Sequence, residues 1–478
     1  MVRREFLALV AAAIGLSAQA PARADDARPN IVFLIADDWS YPHAGAYGDR
    51  AFKTPNFDRV AKEGVLFRRS YCVSPSCTPS RGAILTGQAI HRLEDGANLW
   101  SDLPSKFVGY TDLLEKAGYR IGLTGKGLGP GSNEQSKRSR NLAGPTVRDF
   151  PTFLDRIGDA RPFCYWFGSQ DPHRPYDKGT GARSGLKAED VKVPGYFPDT
   201  PGVRDDILDY GFEVERFDRQ VGAILDELDR RKLADNTIVV VTSDNGWPFP
   251  RCKANLYDSG THMPLAIRWP SKIQAGRTVD AFVSHQDFAP TFLEAAGLPI
   301  PDDMTGRSLI PLMEGKEQPH RDHVFVERER HANVRKGDLS YPARSIRTAK
   351  YSYIRNLRPD RWPAGDPEQY IAVGPFGDID GSPTKALLLD RRAESAIAPF
   401  FKMACDKRPA EELYDLEKDP DELKNLAGDP AYEAVRKELR DKLDRWMIET
   451  KDPRATAEGG DDRFDRYPYY GDRAANLR

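Results

Sequence analysis

Short unbroken apolar runs alternate with stretches of helical spacing over the first two thirds of the chain. Pro29 to Asp38 is apolar and β-branched, closes on two acids, and has too little alternation for a half-exposed strand. It is expected as a strand covered on both faces. Thr54 to Phe67 puts Phe57, Val60, Ala61 and Val65 on one side of a predicted helix. A helix is expected over Tyr110 to Ala117, with strands over Arg120 to Thr124 and Pro162 to Phe167. Tyr210 to Arg231 carries a long helical stripe, Thr237 to Val241 is the most strongly β segment, and Phe288 to Ala296 is helical. Strands and helices in alternation predict an α/β fold, with a large mixed, mostly parallel sheet sandwiched by helices.

The texture changes near residue 320. Tyr341 to Asn356 and Glu412 to Asp415 suggest short strands, and Tyr432 to Thr450 an amphipathic helix through Val435, Leu439, Leu443, Trp446 and Met447. The expected organisation is a large α/β domain over 25–320, a smaller α+β domain over 321–450 and an extended tail over 451–478.

Residues 1–24 are expected as a signal peptide. Arg3 and Arg4 precede an apolar run from Ala8 to Leu16, followed by small residues at Ala18, Ala20, Ala22 and Ala24. The paired arginines are similar to a twin-arginine leader. Export to the periplasm or outside the cell is expected, with no membrane span after leader removal. The 478 residues are 40% hydrophobic and 30% charged, enough for a large core. A net charge of -2 offers no bulk attraction to nucleic acid. The 5 cysteines leave at least one unpaired, which in an exported chain asks for a chemical reason.

Two oxygen-bearing pairs stand at expected strand ends, Asp37-Asp38 and Asp244-Asn245. Ligands bind beyond the carboxyl ends of strands in open α/β sheets. Three carboxylates and one amide oxygen suit a hard cation, Ca²⁺ or Mg²⁺, and not zinc. A helix cap and turn is the plainer reading of either pair alone. A third constellation is Cys77-Thr78-Pro79-Ser80-Arg81, followed by Leu85-Thr86-Gly87. A buried structural cysteine or an ordinary thiolate nucleophile would each be open here, although a thiolate usually recruits a nearby histidine.

Cys77-Thr78-Pro79-Ser80-Arg81 with Leu85-Thr86-Gly87 resembles the signature of the formylglycine-dependent sulfatases, whose fold is alkaline phosphatase-like. The resemblance extends from about residue 28 to about residue 450. It implies that a formylglycine-generating enzyme oxidises Cys77 to an aldehyde, and that Asp37, Asp38, Asp244, Asn245 and the modified Cys77 surround one Ca²⁺, or Mg²⁺. It further implies attack on sulfur by the hydrated aldehyde, with Arg81 holding that group. Lys126, in Thr124-Gly125-Lys126-Gly127-Leu128-Gly129, and Lys253 match the family's sulfate-binding lysines. His173, in Asp171-Pro172-His173-Arg174-Pro175, matches the leaving-group acid, and imidazole suits proton transfer near neutrality. One departure stands out: the family usually places a histidine two residues after the first lysine, and here that position is Leu128. His43 and His91 are candidates for its place.

Ser243 to Pro250, Leu339-Ser340-Tyr341-Pro342 with Arg344-Ser345, and Glu412-Leu413-Tyr414-Asp415 resemble the sulfamidase branch more than the arylsulfatases. That branch carries an arginine where Lys253 stands. The implied substrate is a sulfated saccharide, either N-sulfoglucosamine or an O-sulfated polysaccharide fragment. Arg330, His331 and Arg344 are candidates to line its cleft; solvated charges and a strand-edge arginine are the plainer reading. Two other readings remain: a phosphodiesterase or phosphonate hydrolase on the same fold, and a non-catalytic saccharide-binding relative.

Overall fold

The computed structural model describes residues 28–133, 136–158, 162–370, 374–455 and 462–471. The expected leader lies outside them.

The Asn30–Ala36 segment forms a strand because it can bury both faces at once. Ile31, Phe33 and Ile35 enter one apolar core. Val32, Leu34 and Ala36 enter another on the opposite side of the sheet. Successive side chains of a strand point to opposite faces, so a continuous apolar run demands cover on both. That strand, β1, is central in an eight-stranded sheet of order β3-β4-β1-β5-β6-β2-β7, with β8 against β2. The members are β2 (Val65–Tyr71), β3 (Arg120–Gly125), β4 (Phe163–Gly168), β5 (Thr237–Ser243), β6 (His262–Arg268), β7 (Arg277–Val279) and β8 (Val283–Ser284). The run β3-β4-β1-β5 is parallel, and β6 is antiparallel to both its neighbours. This is the α/β sandwich expected from the alternation of strand and helix.

The long helix Pro201–Arg230 covers one face. It starts nine residues before the apolar stripe suggested, because Thr200 caps Val203 and Pro201 takes the first turn. The helix at 54–67 is shorter than its spacing indicated, Pro55–Glu63. A side chain at Gly64 would meet Ile267 O at 2.1 Å, so the backbone passes close to β6 there. Val65 to Phe67 then join the sheet as part of β2.

A second sheet, four antiparallel strands in the order β12-β11-β10-β9, follows: β9 (His323–Arg328), β10 (Ala343–Thr348), β11 (Tyr351–Asn356) and β12 (Glu411–Asp415). The helix Glu433–Glu449 packs on it through Leu439, Leu443 and Met447. In place of the extended tail expected after residue 450, the described residues fold back. Asp452 and Arg454 are buried, and Phe464 joins a core with Val73, Ala83, Ile90 and Ala97. A count of apolar residues missed this, because ion pairs hold most of the segment. Among the described residues no helix is long and apolar enough to cross a membrane.

Candidate functional site

Ala36 of β1 pairs with Ser243 of β5 in parallel register. The next residues on both strands are therefore brought side by side: Asp37-Asp38 from one, Asp244-Asn245 from the other. All four are buried. Asp38 N–H donates to Asp244 Oδ1 at 3.1 Å, and Asn245 Nδ2 donates to Asp38 Oδ1 at 2.6 Å. Asp38 adopts a left-handed backbone, φ 77°. Such a conformation costs a non-glycine residue about 1–3 kcal/mol and persists only where its surroundings impose it.

The helix Cys77–Thr86 begins beside these carboxylates, with Ser76 as its cap residue. Sequence spacing had given only the motif, not the helix. Cys77 Sγ lies 3.5 Å from Asp37 Oδ1. Burial pushes its thiol well above the usual range, and Asp244 and Asp37 add to this against the pull of Lys126 and Lys253. A neutral thiol in this place is a poor nucleophile. None of the 5 cysteines is in a disulfide.

Arg81 comes one turn later on the same helix, fully buried. Its Nε donates to Asp244 Oδ2 at 2.7 Å, and its Nη1 to Lys126 O at 2.9 Å and Gly127 O at 3.2 Å. Lys126, just past β3, holds both oxygens of Asp37 at 2.7 Å. Burial raises the Asp37 carboxyl, but Lys126, His173, Arg81 and Lys253 outweigh it and keep the group far below the usual carboxylate range. Asp38, with one lysine and two neighbouring carboxylates, is instead raised by burial. Lys253 Nζ meets Asp38 Oδ2 at 2.7 Å.

His173 follows β4. Its Nδ1 lies 2.5 Å from Arg174 O, a carbonyl that only accepts, so Nδ1 carries the hydrogen. Nε2 then faces the site, 3.8 Å from Asp38 Oδ2, and the ring is one-third exposed. The nine residues singled out by motif thus converge beyond the ends of β1 and β5.

The donor set fits a hard divalent cation. Asp37, Asp38 and Asp244 supply carboxylates, and Asn245 Oδ1 is buried without a hydrogen-bond partner among the described residues. An orphaned amide oxygen beside three acids has unmet demand for a positive centre.

The place of the missing histidine is filled by neither candidate. His43 packs among Phe52, Tyr210 and Trp247, and its Nδ1 meets Tyr210 Oη. His91 is buried against Glu327 and Asp452. Leu128 itself is buried in the sheet core. Arg330 and Arg344 do not line a cleft. Arg330 donates to the carbonyls of Tyr467 and Pro468, and Arg344 pairs with Glu329 and Asp452 in a closed ionic cluster. His331 does approach the site: its Nδ1 is 2.8 Å from Ser76 Oγ, the residue before Cys77. Burial lowers it to about 4, so its ring is neutral.

Sequence reasoning missed Asp380, whose Oδ2 lies 3.3 Å from Lys253 Nζ. The only signal was a pair of acids within a glycine-bounded turn, Gly377-Asp378-Ile379-Asp380-Gly381.

The fold is the alkaline phosphatase-like α/β sandwich. A solved phosphonate monoester hydrolase of Agrobacterium radiobacter superposes with a TM-score of 0.65 at 20% identity, over 88% of this chain and 96% of that one. That likeness establishes fold alone. The family model described as Sulfatase matches residues 29–166 and 148–298, and the one described as N-sulphoglucosamine sulphohydrolase, C-terminal, matches 247–368. The chain belongs to the sulfatase family of hydrolases. It is 32% identical to human N-sulphoglucosamine sulphohydrolase over 91% of its own length and 93% of the relative's. It is 30% identical to an ulvan-active sulfatase of Formosa agariphila, over 88% and 75% respectively.

Proposed function

We propose that this protein removes sulfate from a sulfated saccharide, using a formylglycine made from Cys77 by a separate oxidising enzyme. Asp37, Asp38, Asp244 and Asn245 would hold one Ca²⁺, with Mg²⁺ the alternative. The observation that carries the reading is the meeting of Cys77, three carboxylates, Arg81, two lysines and His173 at the ends of adjacent parallel strands. A bound cation would supply a Lewis acid beside residue 77, and the hydrated aldehyde an oxygen nucleophile that the thiol is not. Arg81 fixes the first turn of the Cys77 helix against the β1 and β5 ends. Lys126 and Lys253 bring two ammonium groups to Asp37 and Asp38, where the negative oxygens of a sulfuryl group would gather. His173, with Nδ1–H tied to Arg174 O, presents Nε2 as the proton carrier to the leaving group.

The relatives named above act on an N-sulfated amino sugar and on ulvan by their names, which frames the substrate as either an N-sulfoglucosamine or an O-sulfated polysaccharide fragment. The leader pattern supports export to the periplasm or beyond. Mass spectrometry of the peptide containing residue 77, from protein made in a host with the oxidising enzyme, is the deciding experiment. Formylglycine is expected, and cysteine alone would reject the mechanism. Phosphonate or phosphodiester hydrolysis is the second reading, because the fold is shared with a phosphonate monoester hydrolase. An aryl sulfate turned over faster than the matching aryl phosphate is expected, and the reverse order would favour the second reading. A non-catalytic saccharide binder would show no turnover of either by fully modified protein.

A further inference from the structure

Asp380 stands at this site from outside the segments that define it. The matched family segments end at residues 298 and 368, so it belongs to neither. Its carboxylate, a ring nitrogen of His173 and a carboxylate oxygen of Asp38 all lie within 4.8 Å of one another. His173 marks the leaving-group side of the reacting centre, so Asp380 borders the part of the substrate that departs.

The segment that delivers it is firmly built. Asp378 accepts from Arg328 Nη2 at 2.7 Å, Arg335 Nη2 at 2.6 Å and Ala332 N at 3.0 Å. Lys385 Nζ donates to Ile379 O at 2.7 Å. Anchors on the residues just before it pre-set the position of residue 380, as a recognition group requires. Lys253 has a second and closer carboxylate partner in Asp38, at 2.7 Å. Asp38 is closed to solvent, whereas the Asp380 side chain keeps 27% of its surface open.

A carboxylate at this place can only accept hydrogen bonds. It therefore suits a hydroxyl or ammonium group and repels a second sulfate or a uronate carboxylate. We propose that Asp380 determines specificity by accepting a hydrogen bond from a free hydroxyl or amine of the sugar ring on the leaving-group side of the scissile bond. This rests on the sulfatase reading above.

The test compares calcium-loaded, formylglycine-bearing protein with its Asp380→Asn variant. One substrate is 4-nitrophenyl sulfate, whose leaving group has no such donor; the others are glucosamine 6-sulfate and N-sulfoglucosamine. Loss of a hydrogen bond to this charged group should lower kcat/KM on the better sugar about 10- to 100-fold. The fall on the aryl sulfate should be at least about tenfold smaller than on the sugar, because its leaving group carries no donor for Asp380. A parallel fall on both substrates would mean that Asp380 acts through Lys253, and an unchanged sugar rate would mean that it reads nothing. Either result overturns the inference. Turnover of aryl sulfate without turnover of either sugar would reject the inference and leave the sulfatase reading standing. Absence of all turnover would reject that reading, and calorimetric binding of glucosamine 6-sulfate to the Cys77→Ala protein then decides: about tenfold weaker binding in the Asp380→Asn background is expected, equal binding overturns the inference, and so does absence of binding.

Discussion

Arg81 Nε donates to Asp244 Oδ2 at 2.7 Å, and neither side chain has any exposed surface. Two buried charges in such a pair depend on each other. Removing one leaves the other uncompensated in a poorly polarisable interior, which costs about 3–5 kcal/mol. Arg81→Met is therefore expected to lower stability by that amount in urea unfolding, and calcium should recover part of it by supplying positive charge near Asp244. An unchanged midpoint would show that Arg81 carries no structural weight.

The oxygen set predicts a cation effect that can be measured without any substrate. Calcium at about 100 times its dissociation constant should add about 2.7 kcal/mol to the stability of metal-stripped protein. The shift should disappear in Asn245→Leu, which removes the orphaned amide oxygen while keeping the volume. An equal thermal shift in that variant would move the cation site elsewhere.

His285, which is not one of the cation residues, gives a pH dependence. It is buried near Ser70 Oγ of β2 and Thr242 Oγ1 of β5, and burial lowers it from 6.5 to about 3. The folded state keeps the ring neutral while the unfolded chain protonates it. Its contribution is thus present above pH 6.5 and fades as pH falls toward 3. By pH 4.5 the loss should reach about 2–3 kcal/mol. His285→Gln should narrow the stability difference between pH 7 and pH 4.5 by that amount in urea titrations, and an identical difference would refute the assignment.

Leu128 occupies the position where the family usually has histidine, yet its side chain is buried in the sheet core. Leu128→His is expected to destabilise the protein by about 2–4 kcal/mol, by loss of apolar burial and entry of an unpaired polar ring. It should not raise aryl sulfate turnover. A gain in kcat would show that the loop can turn this residue toward Cys77.

The segment after residue 450 carries more stability than its composition suggests. Arg344 bridges Glu329 and Asp452, and Arg454 pairs with Glu329, all without exposed surface. A chain ending at Thr450 would strip Asp452, Arg454 and Phe464 from this cluster. A fall of more than about 3 kcal/mol in denaturant stability is expected, and a loss below about 1 kcal/mol would mark the segment as dispensable.

Much of the site was legible before the fold because its residues sit in local motifs. Asp37-Asp38 and Asp244-Asn245 each close an apolar run, and Lys126 and His173 also follow strands. Where strands are parallel and adjacent, such endings gather at one edge. Asp380 was not legible, since nothing local distinguishes its turn from any polar loop. Arg330 and Arg344 do not reach the cleft for the converse reason: each is tied up by partners more than 100 positions away, Arg330 by the carbonyls of Tyr467 and Pro468 and Arg344 by the carboxylate of Asp452.

By itself the sequence determined the α/β class, the buried central strands and the oxygen-rich strand ends, because periodicity and local motif act over a few residues. Tertiary structure alone decided that Ala36 and Ser243 share a register, that Cys77 starts a helix beside Asp37, and that Asp380 reaches Lys253. These depend on long-range pairing and burial, which arise only when distant segments exclude water together.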